Sequence, residues 1–171
     1  MDFNDRFLGF SKPFIDGVKE VYSTMMSTEI QNDKPEIKQN PTSKGFYSSI
    51  IGMNGVLEVD GNSKQFQGSM SITWEKEAYL KTAGQMLMEE YTEFNEEIQD
   101  AGAEIVNIVM GNAKKVLAEE GYKIEMSTPT VVTGEDHELG YQKCVITIAT
   151  PFESELGKFW LEIGYRDQDQ S

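Results

Sequence analysis

The sequence is poor in the residues from which most reactive sites are built. Its 171 residues include one cysteine, Cys144, and one histidine, His137. A lone cysteine excludes an internal disulfide, and in the strand-like run KCVITIAT it reads as a small core residue. His137 sits in the polar run GEDHELG and reads as a solvated loop residue. One His and one Cys leave a zinc site short of ligands and give a cysteine nucleophile no evident base. No phosphate-cradling GxxxxGK[ST] or GxGxxG motif occurs, which removes the usual grounds for nucleotide binding. The opening MDFNDRFLGF lacks the basic start and long apolar run of a signal peptide. No window approaches the run of about 18 apolar residues that a membrane-spanning helix needs. A cytoplasmic location is the expectation.

Positive charge is scarce as well. Fifteen Lys and Arg stand against 29 Asp and Glu, a net charge of −14. Nucleic acid and anionic membrane are polyanions, so neither is expected as a partner. Apolar material, in contrast, is ample: 39% of residues are hydrophobic, with nine Phe, seven Tyr and two Trp. A chain of this length suits a single domain across residues 1–171, with a polar loop at 31–44 and a polar, flexible tail at 166–171.

Periodicity divides the chain into elements. Ser11 reads as a helix cap with Pro13 in the first turn, and Phe14, Val18, Val21, Tyr22 and Met25 mark an amphipathic helix to about Thr28. The stretch 31–44 has two prolines and no period, with one short strand expected at 36–38. From Gly45 to Trp74, β-branched and aromatic residues predict two or three antiparallel strands, joined at Asn54-Gly55 or Asp60-Gly61. A helix follows, with Ala78, Ala83, Met86 and Leu87 facing inward. The longest helix is then expected from an Asn95 cap to a Gly121 stop, about 26 residues or roughly 39 Å. Three more strands, YKIEMST, YQKCVITIAT and KFWLEIGY, close the chain, separated by the GEDH region and Pro151. Strands grouped as hairpins predict an α+β fold with an antiparallel β-sheet packed against long helices.

On a helical wheel, Ile105, Val106, Val109, Met110, Ala113, Val116 and Leu117 form one apolar face. Opposite them lie Asp100, Glu104, Asn107, Gly111, Lys114 and Lys115, with Ile108 at the edge. Glu104 and Asn107, three apart, project from neighbouring points of that open surface. Gly111 costs about 1 kcal/mol relative to alanine in a helix and leaves bare backbone that another surface can approach.

The run DAGAEIVNIVMGNAKKVL (residues 100–117) resembles the signature of the CheC/CheX/FliY class of chemotaxis phosphatases: a Glu, two spacers and an Asn, then a glycine and small residues. SIIGMNG and GSMSITWEKEAYLKTAGQMLMEE resemble that family's hairpin and following helix, and PFIDGVKEVYSTMM its opening helix. One signature copy and this length fit the CheX-like branch. The resemblance implies hydrolysis of the aspartyl phosphate on a CheY-like receiver domain of a response regulator, in chemotaxis or related two-component signalling. It assigns Asn107 to holding the attacking water and Glu104 to binding the receiver's lysine. The Mg²⁺ is expected in the partner receiver, with no cofactor of the chain's own. Ile108, Gly111 and Lys114 are the expected partner-binding residues, and Lys114 and Lys115 the relief from acidic repulsion. A homodimer joined at sheet edges is expected from the same resemblance. The alternative is a non-catalytic module that docks on a receiver without hydrolysing anything.

Overall fold

A computed structural model of the chain describes residues 3–38, 45–134 and 146–167. His137 and Cys144 lie outside the described residues. In order along the chain come α1 (Phe3–Met25), β1 (Gln31–Asn32), β2 (Glu36–Lys38), β3 (Tyr47–Val59), β4 (Asn62–Trp74), α2 (Lys76–Leu87), α3 (Glu96–Gln99), α4 (Ala101–Glu119), β5 (Tyr122–Met126), β6 (Thr130–Thr133), β7 (Ile146–Ser154) and β8 (Gly157–Asp167). The strands form one antiparallel sheet in the order β1-β7-β8-β4-β3-β5, with β2 also on β7 and β6 also on β3. The α+β class with an antiparallel sheet and long helices is the one expected.

The centre of the sheet is the β3–β4 hairpin, thirteen residues on each side. It turns at Asp60-Gly61, where both residues take positive φ, 52° and 80°, as a two-residue hairpin turn requires. Asn54-Gly55 is not a turn. It lies within β3, paired with Gln67 and Phe66. A Cβ on Gly55 would come 2.4 Å from the Lys123 carbonyl oxygen and 2.7 Å from the Phe66 ring, so this glycine serves close packing.

Register places Tyr47 opposite Trp74, Trp74 opposite Phe159 and Phe159 opposite Phe152, an aromatic row across β3, β4, β8 and β7. Phe152 and Phe159 stack at 4.9 Å, and Tyr22 of α1 stacks on Phe159 at the same separation. The buried indole of this row is satisfied: Trp74 Nε1 donates to the Tyr22 hydroxyl at 2.8 Å, which bonds Thr82 Oγ1 at 2.9 Å. Burial pushes the Tyr22 phenol up, so it keeps its proton.

Several boundaries differ from expectation. α1 starts at Phe3, not after Ser11, because Phe7, Phe10 and Phe14 continue the apolar stripe upstream. Ser11 is buried and donates back to the Leu8 carbonyl at 2.8 Å, and Pro13 sits inside the helix. Packing of three phenylalanines outweighs a proline cost of about 3 kcal/mol. Leu87 is exposed, its inward place taken by Tyr79, Leu80 and Thr82. Pro151 is within β7, where the partner strand changes from β2 to β1, and no ladder needs the missing N–H there. Residues 166 and 167, expected in the flexible tail, belong to β8, where Asp167 faces Arg6 at 3.6 Å.

Candidate functional site

The signature helix is held by its apolar side. Ile105, Val106, Val109, Met110, Ala113 and Leu117 are fully buried against α1 and the sheet. α1 approaches α4 through Gly17, whose missing Cβ would stand 3.4 Å from Val109. Val116, expected on this stripe, is instead 47% exposed, since it falls at the margin of the buried arc. With one side fixed, the other has no freedom to turn away.

That open side carries the expected residues. Glu104 is exposed and Asn107 half-buried one turn on. Neither side chain makes a hydrogen bond or ion pair among the described residues, so both have their polar atoms available to a partner. At a spacing of three, their Cβ atoms stand about 5–6 Å apart on the helix surface. Around Gly111 nothing lies within 4 Å of where a Cβ would be. Lys114 is half-buried and Lys115 exposed. Ile108 differs from the exposed contact expected of it: it is half-buried and packs against the core. Among the described residues no three His, Cys, Asp or Glu side chains group to hold a metal ion.

The helix expected from Asn95 to Gly121 is broken one turn in. Asn95 does cap, accepting from the Ile98 N–H at 3.3 Å. Gly121, with φ of 100°, does stop the chain's helical run. Between them α3 ends at Gln99, Asp100 forms a one-residue turn that keeps right-handed φ and ψ of −86° and −8°, and α4 begins at Ala101. The longest helix is therefore α1, at 23 residues.

Two tyrosines cause the break. Tyr47 and Tyr79 stack at 3.9 Å, with 12° between the rings, at the end of the aromatic row. In a continuous helix the Gly102 N–H would donate to the Ile98 carbonyl. Here it donates to the Tyr79 hydroxyl at 3.0 Å, and that hydroxyl donates to Ile98 O. On the next rung the Tyr47 hydroxyl donates to Gln99 O. The first direct bond after the break is Glu104 N–H to Asp100 O, 3.1 Å. A side chain inserted into the ladder is an established cause of kinking. Burial, with each ring's nearness to the other and to Asp100, pushes the Tyr47 phenol up, and burial does the same for Tyr79. Both stay neutral and able to donate. Gly102 makes room: a Cβ there would meet Tyr47 Cε1 at 2.4 Å and its hydroxyl at 2.8 Å.

A family model described as chemotaxis phosphatase CheX matches residues 50–153, which contain the whole signature helix. The chain belongs to the CheX family. A CheX from Vibrio vulnificus is 35% identical, covering 92% of this chain and 99% of its own, with a TM-score of 0.80. A CheC-like superfamily protein from Shewanella sp. PV-4 is 32% identical over 97% of this chain and 99% of its own, at a TM-score of 0.81. The Borrelia burgdorferi structure of a CheX–CheY–BeF3–Mg²⁺ complex matches at 25% identity over 92% of this chain and 97% of that one, with a TM-score of 0.74. No curated protein matches the sequence.

For this CheX-family chain, sequence reading found the open face and missed what holds its first turn. Tyr47, Tyr79 and Gly102 lie in three separate elements, and no periodicity joins them. The one local signal was Gly102, a glycine in the opening turn of a helix where a small gain from alanine was available.

Proposed function

We propose that this chain hydrolyses the aspartyl phosphate of a CheY-like receiver domain, acting as one CheX-like domain. The observation that carries the reading is the open face of α4: Glu104 and Asn107 side by side, unengaged within the protein, beside the bare backbone of Gly111. Membership of the CheX family and the relative crystallised with CheY, BeF3 and Mg²⁺ support it.

Each residue type suits its part. An amide oxygen accepts a hydrogen bond from water while staying neutral beside phosphate oxygens, so Asn107 can hold a water in line with the scissile bond. The water oxygen bonds to phosphorus and the bond from phosphorus to the aspartyl oxygen breaks. The carboxylate leaves with the electron pair, and the water's proton ends on the released phosphate. Glu104 takes the receiver's lysine in a charge-assisted bond and fixes the docking geometry. The receiver's Mg²⁺ neutralises charge on the phosphoryl group, as phosphoryl transfer generally requires. Lys114 and Lys115 place positive charge at this patch against the chain's net charge of −14, and so reduce its repulsion of an acidic phosphorylation site.

The test follows phosphorylated receiver with and without the protein. Wild type is expected to shorten its lifetime, and Asn107→Ala to lose about 10²-fold of that effect while still binding a beryllofluoride-loaded receiver. An unchanged lifetime with wild-type protein and its cognate receiver would overturn the reading.

A further inference from the structure

The tyrosine wedge sits immediately before Glu104, and its two hydroxyls take up two consecutive carbonyls, Ile98 O and Gln99 O. We propose that Tyr79 and Tyr47 are positioning residues for the phosphatase reaction, setting the direction of the first turn of α4 and through it the place of Glu104. The inference rests on the proposed phosphatase reading.

The two ends of the signature are held by different means. Asn107 has fully buried residues on both sides, Ile105 and Val106 before it and Val109 and Met110 after it. Glu104 instead has Ile105 and Val106 after it and, before it, the buried Ala101 and Gly102 that abut the tyrosine hydroxyls. Glu104 is preceded by Ala103, half-buried, and by the two interrupted rungs. Its own N–H bonds to Asp100, the single turn residue between α3 and α4. The direction of this turn is thus fixed by one hydroxyl from the sheet, Tyr47 of β3, and one from α2, Tyr79. Removing the Tyr79 hydroxyl while keeping its ring leaves the 3.9 Å stack on Tyr47 in place. It lets the Gly102 N–H close directly on Ile98 O, because a hydroxyl no longer separates them. The first turn of α4 then closes by a direct rung in place of the bridged one, and Glu104, two residues past that rung, shifts while the more distant Asn107 stays.

A shift confined to Glu104 has a particular kinetic signature. Docking weakens, whereas the water-holding step at saturation does not. For Tyr79→Phe the receiver concentration giving half the maximal rate is expected to rise about tenfold, with the saturating rate within about twofold of wild type. In a Glu104→Ala background the same substitution is expected to have no further effect, since the group it acts through is gone. Tyr47→Phe, on the adjacent rung, is the second variant and is expected to repeat both results. Wild-type kinetics in both variants, or equal losses with and without Glu104, would overturn the positioning role while leaving the phosphatase reading standing. A wild-type protein that does not hasten receiver dephosphorylation overturns both.

Discussion

Gly102 and Gly111 occupy the same helix nine positions apart, and they lack a side chain for opposite reasons. At Gly102 the explanation is inside the protein: a Cβ would drive into the Tyr47 ring at 2.4 Å. At Gly111 the interior offers none, because the space a Cβ would take is empty. A helix interior disfavours glycine by about 1 kcal/mol at either position. In the first case that cost is offset by packing of an aromatic pair, worth about 0.5–1.5 kcal/mol beyond burial. In the second nothing within the chain offsets it. A residue that the fold does not need is evidence about what the fold meets, and this one lies one turn beyond Asn107.

Substitutions sharpen the contrast, beginning with the largest effect. Gly102→Ala is expected to destabilise the protein by about 2–3 kcal/mol through overpacking, read as a lower midpoint in chemical denaturation. A neutral result would mean that the tyrosine pair yields, and the contrast with Gly111 would disappear. Gly111→Ala is expected to act in the other direction, stabilising the free protein by up to about 1 kcal/mol in thermal unfolding. The same variant should bind the receiver more weakly, and unchanged affinity would show that the bare backbone is not a contact. Smallest is Lys114→Ala: receiver association should slow about two- to threefold at low salt and the difference should fade as salt rises. A salt-independent loss would assign Lys114 a packing role instead.

How much of this was legible in the sequence follows from which forces are local. The buried stripe of α4, the Asn95 cap and the Gly121 stop depend on residues within a few positions of each other, and periodicity recovers them. So do the strand at 36–38 and the hairpin turn at Asp60-Gly61. The Asn54-Gly55 alternative failed because a glycine required by Lys123 and Phe66 looks the same in one dimension as a glycine required by a turn. The break at Asp100 was not readable for the same reason, since its causes come from Tyr47 and Tyr79. Ser11 misled as a cap because a buried serine satisfied by its own helix has the composition of a start signal. The two residues proposed to act, Glu104 and Asn107, came from a resemblance whose pattern lies on one helix face. The residues proposed to orient Glu104 did not.

The place of β8 in the sheet has a consequence for how the chain acquires its fold. This strand comes last among the described elements yet lies between β7 and β4, in the middle of the sheet. β3 and β4 can zip from their own turn as soon as both exist, but β4 waits for β8 across a separation of roughly 90 residues, the kind of non-local pairing that slows folding. During synthesis the inner edge of β4, with Met70, Ile72 and Trp74, is therefore exposed until the end of β8 has emerged. Until β8 pairs, that edge of β4 is open to pairing with another chain.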